Sequence, residues 1–237
     1  MYRVIIPIDF SETSLNAARY AAQMLAGKDN VVAILYNNYE SQDDQDTSLN
    51  YQESIRQEFL RAGVKSVECE GEMGGDLIDN ITRLAHTIRA TLILMGITGK
   101  SAIRQVMFGS NTLKLIDNNL YPVMIIPPDA VYKGINNVAF ASDFKNVENT
   151  TPSDLISSVL EIFDPKLHIF NVNKDVYISI DEGMERQKQI LAKMFSKYNT
   201  EFYFLTMNDF YSAVDSFIID YNIDMMITIP KHQSNST

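Results

Sequence analysis

Apolar positions along this chain alternate between two patterns: short unbroken runs, and segments in which they recur every three or four residues. The first is a buried strand without in–out alternation, and the second is the inner stripe of a helix. Arg3 to Ile8 predicts a strand ending at Asp9. Ser11 then stands as an N-cap, and Leu15, Ala18, Ala22 and Leu25 mark a helix stopped near Gly27. Val31 to Tyr36 predicts a second strand. The polar stretch Glu40 to Thr47 reads as a loop, and Tyr51, Ile55 and Phe59 begin a helix that stops near Gly63. Val64 to Cys69 predicts a third strand. Gly74-Gly75 leads into a helix carrying Leu77, Ile78, Ile81, Leu84 and Ala85. Leu92 to Met95 predicts a fourth strand, Thr112 to Asn119 a helix, and Val123 to Ile126 a fifth strand. Alternation of this kind predicts a parallel α/β sheet covered on both faces, with right-handed crossovers. Such sheets bind ligands at the carboxyl ends of their strands. Asp9, Asn37 and Gly96 all fall there.

Pro127-Pro128 and the residues 129–134 form a linker, after which the pattern restarts at an offset of 134 residues. Asp9-Phe10 matches Asp143-Phe144, and Tyr36-Asn37 matches Phe170-Asn171. Thr91 to Met95 resembles Asp224 to Thr228 with the offset slipped to 133. Helices in the second half are marked by Leu155, Ile156, Val159 and Ile162, by Ile190, Leu191, Met194 and Phe195, and by Val214, Phe217, Ile218 and Tyr221. The expected organisation is a first lobe over 1–128, the linker, and a second copy over 135–237. In that copy Ile229 and His232 stand where Gly96 and Gly99 stand in the first. Thr237 comes before any third glycine, final helix or fifth strand. The second lobe is therefore expected to be degenerate and incomplete after its fourth strand.

At 237 residues and 46% apolar content the chain has material for two cores. No apolar run reaches 18 residues, and Met1-Tyr2-Arg3-Val4 opens without a signal-peptide pattern, so a cytoplasmic protein is expected. A net charge of -10 argues against nucleic-acid or anionic-membrane partners, which need fields of Lys and Arg. Cys69 is the only cysteine, which excludes an internal disulfide and a cysteine metal cage; it reads as a small core residue. His86, His168 and His232 show no ligand spacing and read as surface or helix-end residues. Asp43-Asp44-Gln45-Asp46 reads as a solvated loop rather than a metal site.

The candidate chemistry lies in Gly96-Ile97-Thr98-Gly99, then nine residues, then Gly109-Ser110, between a buried strand and a helix. Gly96, Gly99 and Gly109 permit tight turns and close backbone approach. Ser110 and the N–H groups of Ser110, Asn111 and Thr112 open a helix, where unsatisfied donors and positive dipole favour phosphates. The bland alternative is loop punctuation with a serine N-cap. Lys100 and Arg104 are solvated loop cations or reach a terminal phosphate. Gly99-Lys100-Ser101 is not a phosphate loop of the Walker type, since that motif needs glycine where Leu94 stands. The dinucleotide fingerprint is absent too, because Pro7-Ile8-Asp9-Phe10 contains no glycine. No general base and no nucleophile–base pair is visible.

The spacing G-x2-G-x9-G-[ST] resembles the nucleotide signature of the ATP-binding branch of the universal stress protein family. So do the opening Pro7-Ile8-Asp9-Phe10-Ser11, the helix residues Ser14 and Ala17-Ala18, Thr112-Leu113, and the closing Pro122-Val123-Met124-Ile125-Ile126. The likeness covers residues 1–127 well and 135–230 loosely. It implies two tandem lobes of adenine-nucleotide-alpha-hydrolase-like, Rossmann-like type with strand order 3-2-1-4-5. It implies that Asp9, with the backbone near Pro7 and Ile8, contacts the adenosine part. Asn37 and Met95 would contact adenine through the backbone, Gly96 and Gly99 would pass close to ribose and phosphates, and Gly109, Ser110, Asn111 and Thr112 would hold the phosphates. The family often has Val where Asn111 stands, a change that a backbone contact tolerates. For Asp9 a turn or N-cap role is the alternative, compatible with the first. The ligand implied is ATP, or AMP or ADP, with Mg²⁺ arriving on the phosphates. A homodimer through Val123 to Ile126 is expected, as is regulation through an unidentified protein partner rather than dedicated catalysis. The rivals are a slow ATP-hydrolysing or nucleotidyl-transferring enzyme, whose His-x-Gly-His or Ser-Gly-Gly signatures are missing here, and an interaction protein with an empty site.

Overall fold

A computed structural model of the chain describes residues 1–97, 110–118, 120–173, 182–206 and 209–230. The chain divides into two compact units, Met1–Lys133 and Gly134–Thr237. The first runs β1 (Tyr2–Pro7), α1 (Glu12–Leu25), β2 (Val31–Tyr39), α2 (Gln42–Ala62), β3 (Val67–Met73), α3 (Leu77–Ile88), β4 (Leu92–Gly96), α4 (Ser110–Asn118) and β5 (Val123–Ile126). Its five strands form one parallel sheet, as the sequence pattern leads one to expect, in the order β3-β2-β1-β4-β5 that the resemblance implies. Register aligns Ile5 with both Ile34 and Ile93, and Ile93 with Val123. On one face Ile5, Val32, Ile34, Tyr36 and Ile93 pack with Ile78, Ile81 and Ala85 of α3 and Leu115 of α4. On the other, α1 lies on β4 and α2 on β2 and β3. The continuous apolar runs are explained by this double cover, because every side chain of a central strand meets a helix.

Two readings of the sequence are corrected in this unit. Most of the expected loop Glu40 to Thr47 is the start of α2, and the acidic stretch Asp43-Asp44-Gln45-Asp46 is its first turn and a little beyond. The Ser41 hydroxyl accepts from the Asp44 N–H, and the acidic residues lie at the positive end of the helix dipole. Periodicity missed this turn because its buried face is polar: Ser48 donates to the Asn37 carbonyl oxygen Oδ1, and Gln52 donates to Leu35 O at 3.1 Å and Glu70 O at 2.9 Å. The third strand is Val67–Met73 and not Val64 to Cys69. Val64 belongs to the stop of α2: Gly63 turns left-handed at φ 99°, and the Val64 N–H returns to Phe59 O at 3.0 Å. Cys69 is only partly buried on edge strand β3, and that burial pushes its thiol pKa up.

The second unit runs β6 (Asn137–Ala141), α5 (Val147–Thr150), α6 (Ser153–Phe163), β7 (Lys166–Asn173), α7 (Glu182–Met194), β8 (Thr200–Thr206), α8 (Phe210–Asp220) and β9 (Met225–Ile227). Its described strands pair in parallel in the order β8-β7-β6-β9, the arrangement of the first unit without a fifth strand. The repeat extends to individual bonds. Thr91 N–H donates to Arg3 O at 2.8 Å, and Asp224 N–H donates to Asn137 O at 2.9 Å. The core is aromatic: Phe140 meets Phe195 edge to face at 6.1 Å between centroids, and Phe170 stacks on Phe217 at 4.8 Å. His168, expected at the surface, is 2% exposed in β7. Its ring nitrogens lie 3.0 Å from the Tyr203 hydroxyl and 3.0 Å from Asn137 Oδ1, which is how a strand histidine is accommodated in a core. His86 sits exposed in the last turn of α3, and His232 lies outside the described residues.

Candidate functional site

The strand order places β1 between β2 and β4, so successive connections leave β1 toward one edge and later reach β4 on the other side. A crevice opens at such a switch point, outside the carboxyl ends of the two strands. Pro7 is the last residue of β1, and Ile8 and Asp9 follow it. Met95 and Gly96 close β4, Asn37 stands in β2 beside that end, and Ser110, Asn111 and Thr112 open α4. Gly99 and Gly109 lie outside the described residues, as do Lys100 and Arg104.

Asp9 folds the entry to α1. Its Oδ1 accepts from the Ser11 N–H at 3.0 Å and the Ser11 hydroxyl at 2.6 Å, an Asx turn, while the Asp9 N–H donates to Ser14 Oγ at 3.3 Å. Partial burial raises the carboxyl pKa, but donation from the Ser11 and Ser14 hydroxyls and the Ser11 N–H outweighs it, and the net direction is down. Asp9 is therefore an exposed, ionised acceptor at the mouth of the crevice. The next residue, Phe10, is left-handed at φ 61° and packs its ring 5.2 Å from that of Tyr51.

Asn37 is 5% exposed, and its side chain is consumed by structure. Its Nδ2 donates to Ile8 O at 2.6 Å, its Oδ1 accepts from Ser48, and β1, β2 and α2 are thereby joined at one point. Only its backbone is left to meet a ligand. At Gly96 a Cβ would stand 2.3 Å from Thr13 O and 2.9 Å from Thr13 Cγ2. Glycine is required there by the close approach of α1, whatever else passes above it. At α4, Ser110 and Asn111 are exposed and Thr112 is buried, so the first turn of the helix is open to solvent on one side.

Beside α4, Asp76 caps α3 by accepting from the Ile78 N–H at 2.8 Å and the Asp79 N–H at 3.3 Å. Its other oxygen lies 3.4 Å from Lys114 Nζ. Asn80 of α3 donates to Asn38 Oδ1 at 2.7 Å and Gly74 O at 2.8 Å. The sequence gives no sign of Ser48, Asp76, Asn80 or Lys114, because their partners are remote in the chain. A cavity of about 580 Å³ lies elsewhere, between α1 and α2, lined by Phe10, Leu15, Ala18, Tyr51, Ile55 and Phe59 among others. None of the predicted site residues lines it, so the crevice is located by strand ends and not by volume. Among the described residues no three His, Cys, Asp or Glu side chains form a metal cluster.

The second unit copies the hydrogen bonds of this corner. Lys145 N–H donates to Asp143 Oδ1 at 3.1 Å, Phe144 is left-handed at φ 55°, and Asn171 Nδ2 donates to Ser142 O at 2.9 Å. Ile229 stands where Gly96 does.

The family model described as the universal stress protein family matches residues 1–127, more than half of the chain. The chain belongs to the universal stress protein family. Solved structures similar to it include a universal stress protein from Archaeoglobus fulgidus DSM 4304, with 16% identity, 94% of this chain and 85% of that chain covered, and a TM-score of 0.65. A universal stress protein in complex with cAMP shares 25% identity over 54% of this chain and 98% of that chain, with a TM-score of 0.44. A structure from Pseudomonas aeruginosa UCBPP-PA14, described as of the same protein type, shares 13% identity over 99% of this chain and 85% of that chain, with a TM-score of 0.62. No curated protein matches the chain. The Archaeoglobus and Pseudomonas likenesses reach across both units of this universal stress protein, and they bear on fold. No described helix is long and apolar enough to cross a membrane.

Proposed function

We propose that the first unit of this universal stress protein binds ATP at the β1/β4 switch point and acts as a nucleotide-dependent regulatory module. The observation that carries the proposal is that an ionised Asp9, the backbone of Asn37 and the open first turn of α4 all belong to the carboxyl-end side of one sheet. The donor set suits an adenine nucleotide. A carboxylate accepts from ribose hydroxyls, extended backbone at β2 suits a base edge, and a helix N-terminus with the Ser110 hydroxyl suits phosphates. Mg²⁺ would arrive with the phosphates, since the described residues offer it no cluster of their own. ADP and AMP fit the same adenosine end. The sequence pattern offers no nucleophile–base pair, so hydrolysis would be slow and occupancy would be read by a partner protein. β5 is the outer strand of its sheet with Val123 and Ile125 half-buried, which suits pairing with a second copy. Light scattering at high concentration checks that pairing and should find a dimer.

Titration of the purified chain with ATP and AMP, with and without Mg²⁺, tests the binding, with product followed in parallel. Micromolar affinity with negligible turnover is the expected outcome. Turnover above about 1 s⁻¹ would make the protein an enzyme, and absence of binding would make it an interaction protein. Gly109→Val should abolish binding; unchanged affinity would overturn the site.

A further inference from the structure

We propose that Lys114 reads the number of phosphates in this site, leaving Asp76 for the terminal phosphates of ATP. The inference rests on the nucleotide reading above and adds a residue outside the glycine signature. Side chains on a helix lean toward its N-terminus, so a lysine in the second turn of α4 overlies the first turn. The ion pair fixes the direction independently. Lys114 Nζ is 3.4 Å from Asp76 Oδ2, and Asp76 is the N-cap of α3, which starts at the carboxyl edge of the sheet. The ammonium therefore stands at the edge toward which α4 also points, and α3 and α4 are held side by side by Ile78, Ile81, Ala85 and Leu115.

Charge makes such a group necessary. Asp9, Glu72 and Asp76 all lie at this edge, in a chain of net charge -10, and a polyanion arriving there meets repulsion. The other described cation at this corner, Arg83, is held by Glu72 and by Asn80 Oδ1 at 3.0 Å. Lys114 is held by one contact to a carboxylate whose other oxygen already serves the cap, and both partners are about half exposed. Such a pair is weak and is readily exchanged for a phosphate, which carries more charge. AMP has its one phosphate at the helix terminus and does not extend to the ammonium, whereas the outer phosphates of ATP do.

The test is calorimetric titration of the full chain with ATP and AMP at fixed Mg²⁺, for the wild type, Lys114→Gln, Lys114→Arg and Asp76→Asn. Lys114→Gln should weaken ATP about tenfold while leaving AMP nearly unchanged. Lys114→Arg should restore most of the loss. Asp76→Asn keeps a good N-cap and removes the competing charge, so it should tighten ATP about threefold. An ATP/AMP affinity ratio unchanged in Lys114→Gln would overturn the role of Lys114 while the site itself stands. A wild type that binds no nucleotide would overturn both. Equal loss of ATP and AMP would show a structural part for the lysine and reject the proposal.

Discussion

At Asp9 and at His168, polar side chains sit where backbone geometry needs them, yet their electrostatics differ. Asp9 is stabilised in its charged form by hydroxyl and N–H donors, which outweigh its burial. His168 is driven the other way: burial comes first, the Lys166 ammonium adds to it, and the Glu201 carboxylate opposes them, leaving the imidazole pKa below 6.5. Lys166 and Glu201 are paired at 2.7 Å, Glu201 also receives the Tyr203 hydroxyl, and Tyr221 closes the ring at 5.7 Å between centroids. A folded-state pKa below the unfolded value means that the neutral ring is the native form. Its contribution is complete above about pH 6.5 and is lost as pH falls from there toward the folded pKa. The melting temperature should therefore decline as pH falls below about 6.5, and Lys166, Glu201, Tyr203 and Tyr221 are the ionisable groups facing the ring. His168→Gln should flatten that slope; an unchanged slope would assign the acid sensitivity to another group.

Among the elements, α1 and β4 meet so closely that a single methyl group is excluded. Gly96→Ala places a Cβ against the Thr13 carbonyl, an atom of the helix backbone that cannot rotate away. Overpacking of this kind costs about 1–3 kcal/mol. Urea denaturation should register that loss with little change in slope, and a neutral result would mean that α1 shifts freely on the sheet. The demand for glycine at this position was legible in the sequence, but its cause was not, since Thr13 is 83 residues away. The same division runs through the fold. β1, α1, α3 and β5 announce themselves because their buried positions are apolar and periodic. The first turns of α2 do not, because Ser48 and Gln52 satisfy the backbone of β2 and β3 in place of apolar contacts. β3 begins later than its apolar run because Val64 serves the helix stop. His168 was misread for a related reason: composition places a histidine outside, and only the partners Asn137 and Tyr203 on neighbouring strands make burial tolerable. In the site, spacing disclosed the phosphate side, whereas Asp76, Asn80 and Lys114 are assembled by topology.

For the whole molecule, duplication poses the question of how many nucleotides one chain holds. Both units keep the Asp-Phe turn, the left-handed phenylalanine and the asparagine that donates to the end of the first strand. Those features are shared because they build the corner, so their presence in the second unit argues for fold and says little of ligand. The units diverge where phosphates would be held. The first has Gly96 and the open turn of α4, while the second has Ile229 at the matching position. We expect one ATP per chain. Asp9→Asn, which keeps the turn but removes the charge, should weaken ATP about tenfold. Asp143→Asn, the same change in the other copy, should leave affinity and stoichiometry unaltered. Calorimetry decides both numbers together. A stoichiometry near two, halved by Asp143→Asn, would mean that the duplicated corner, and not the glycine signature, is what recognises the nucleotide.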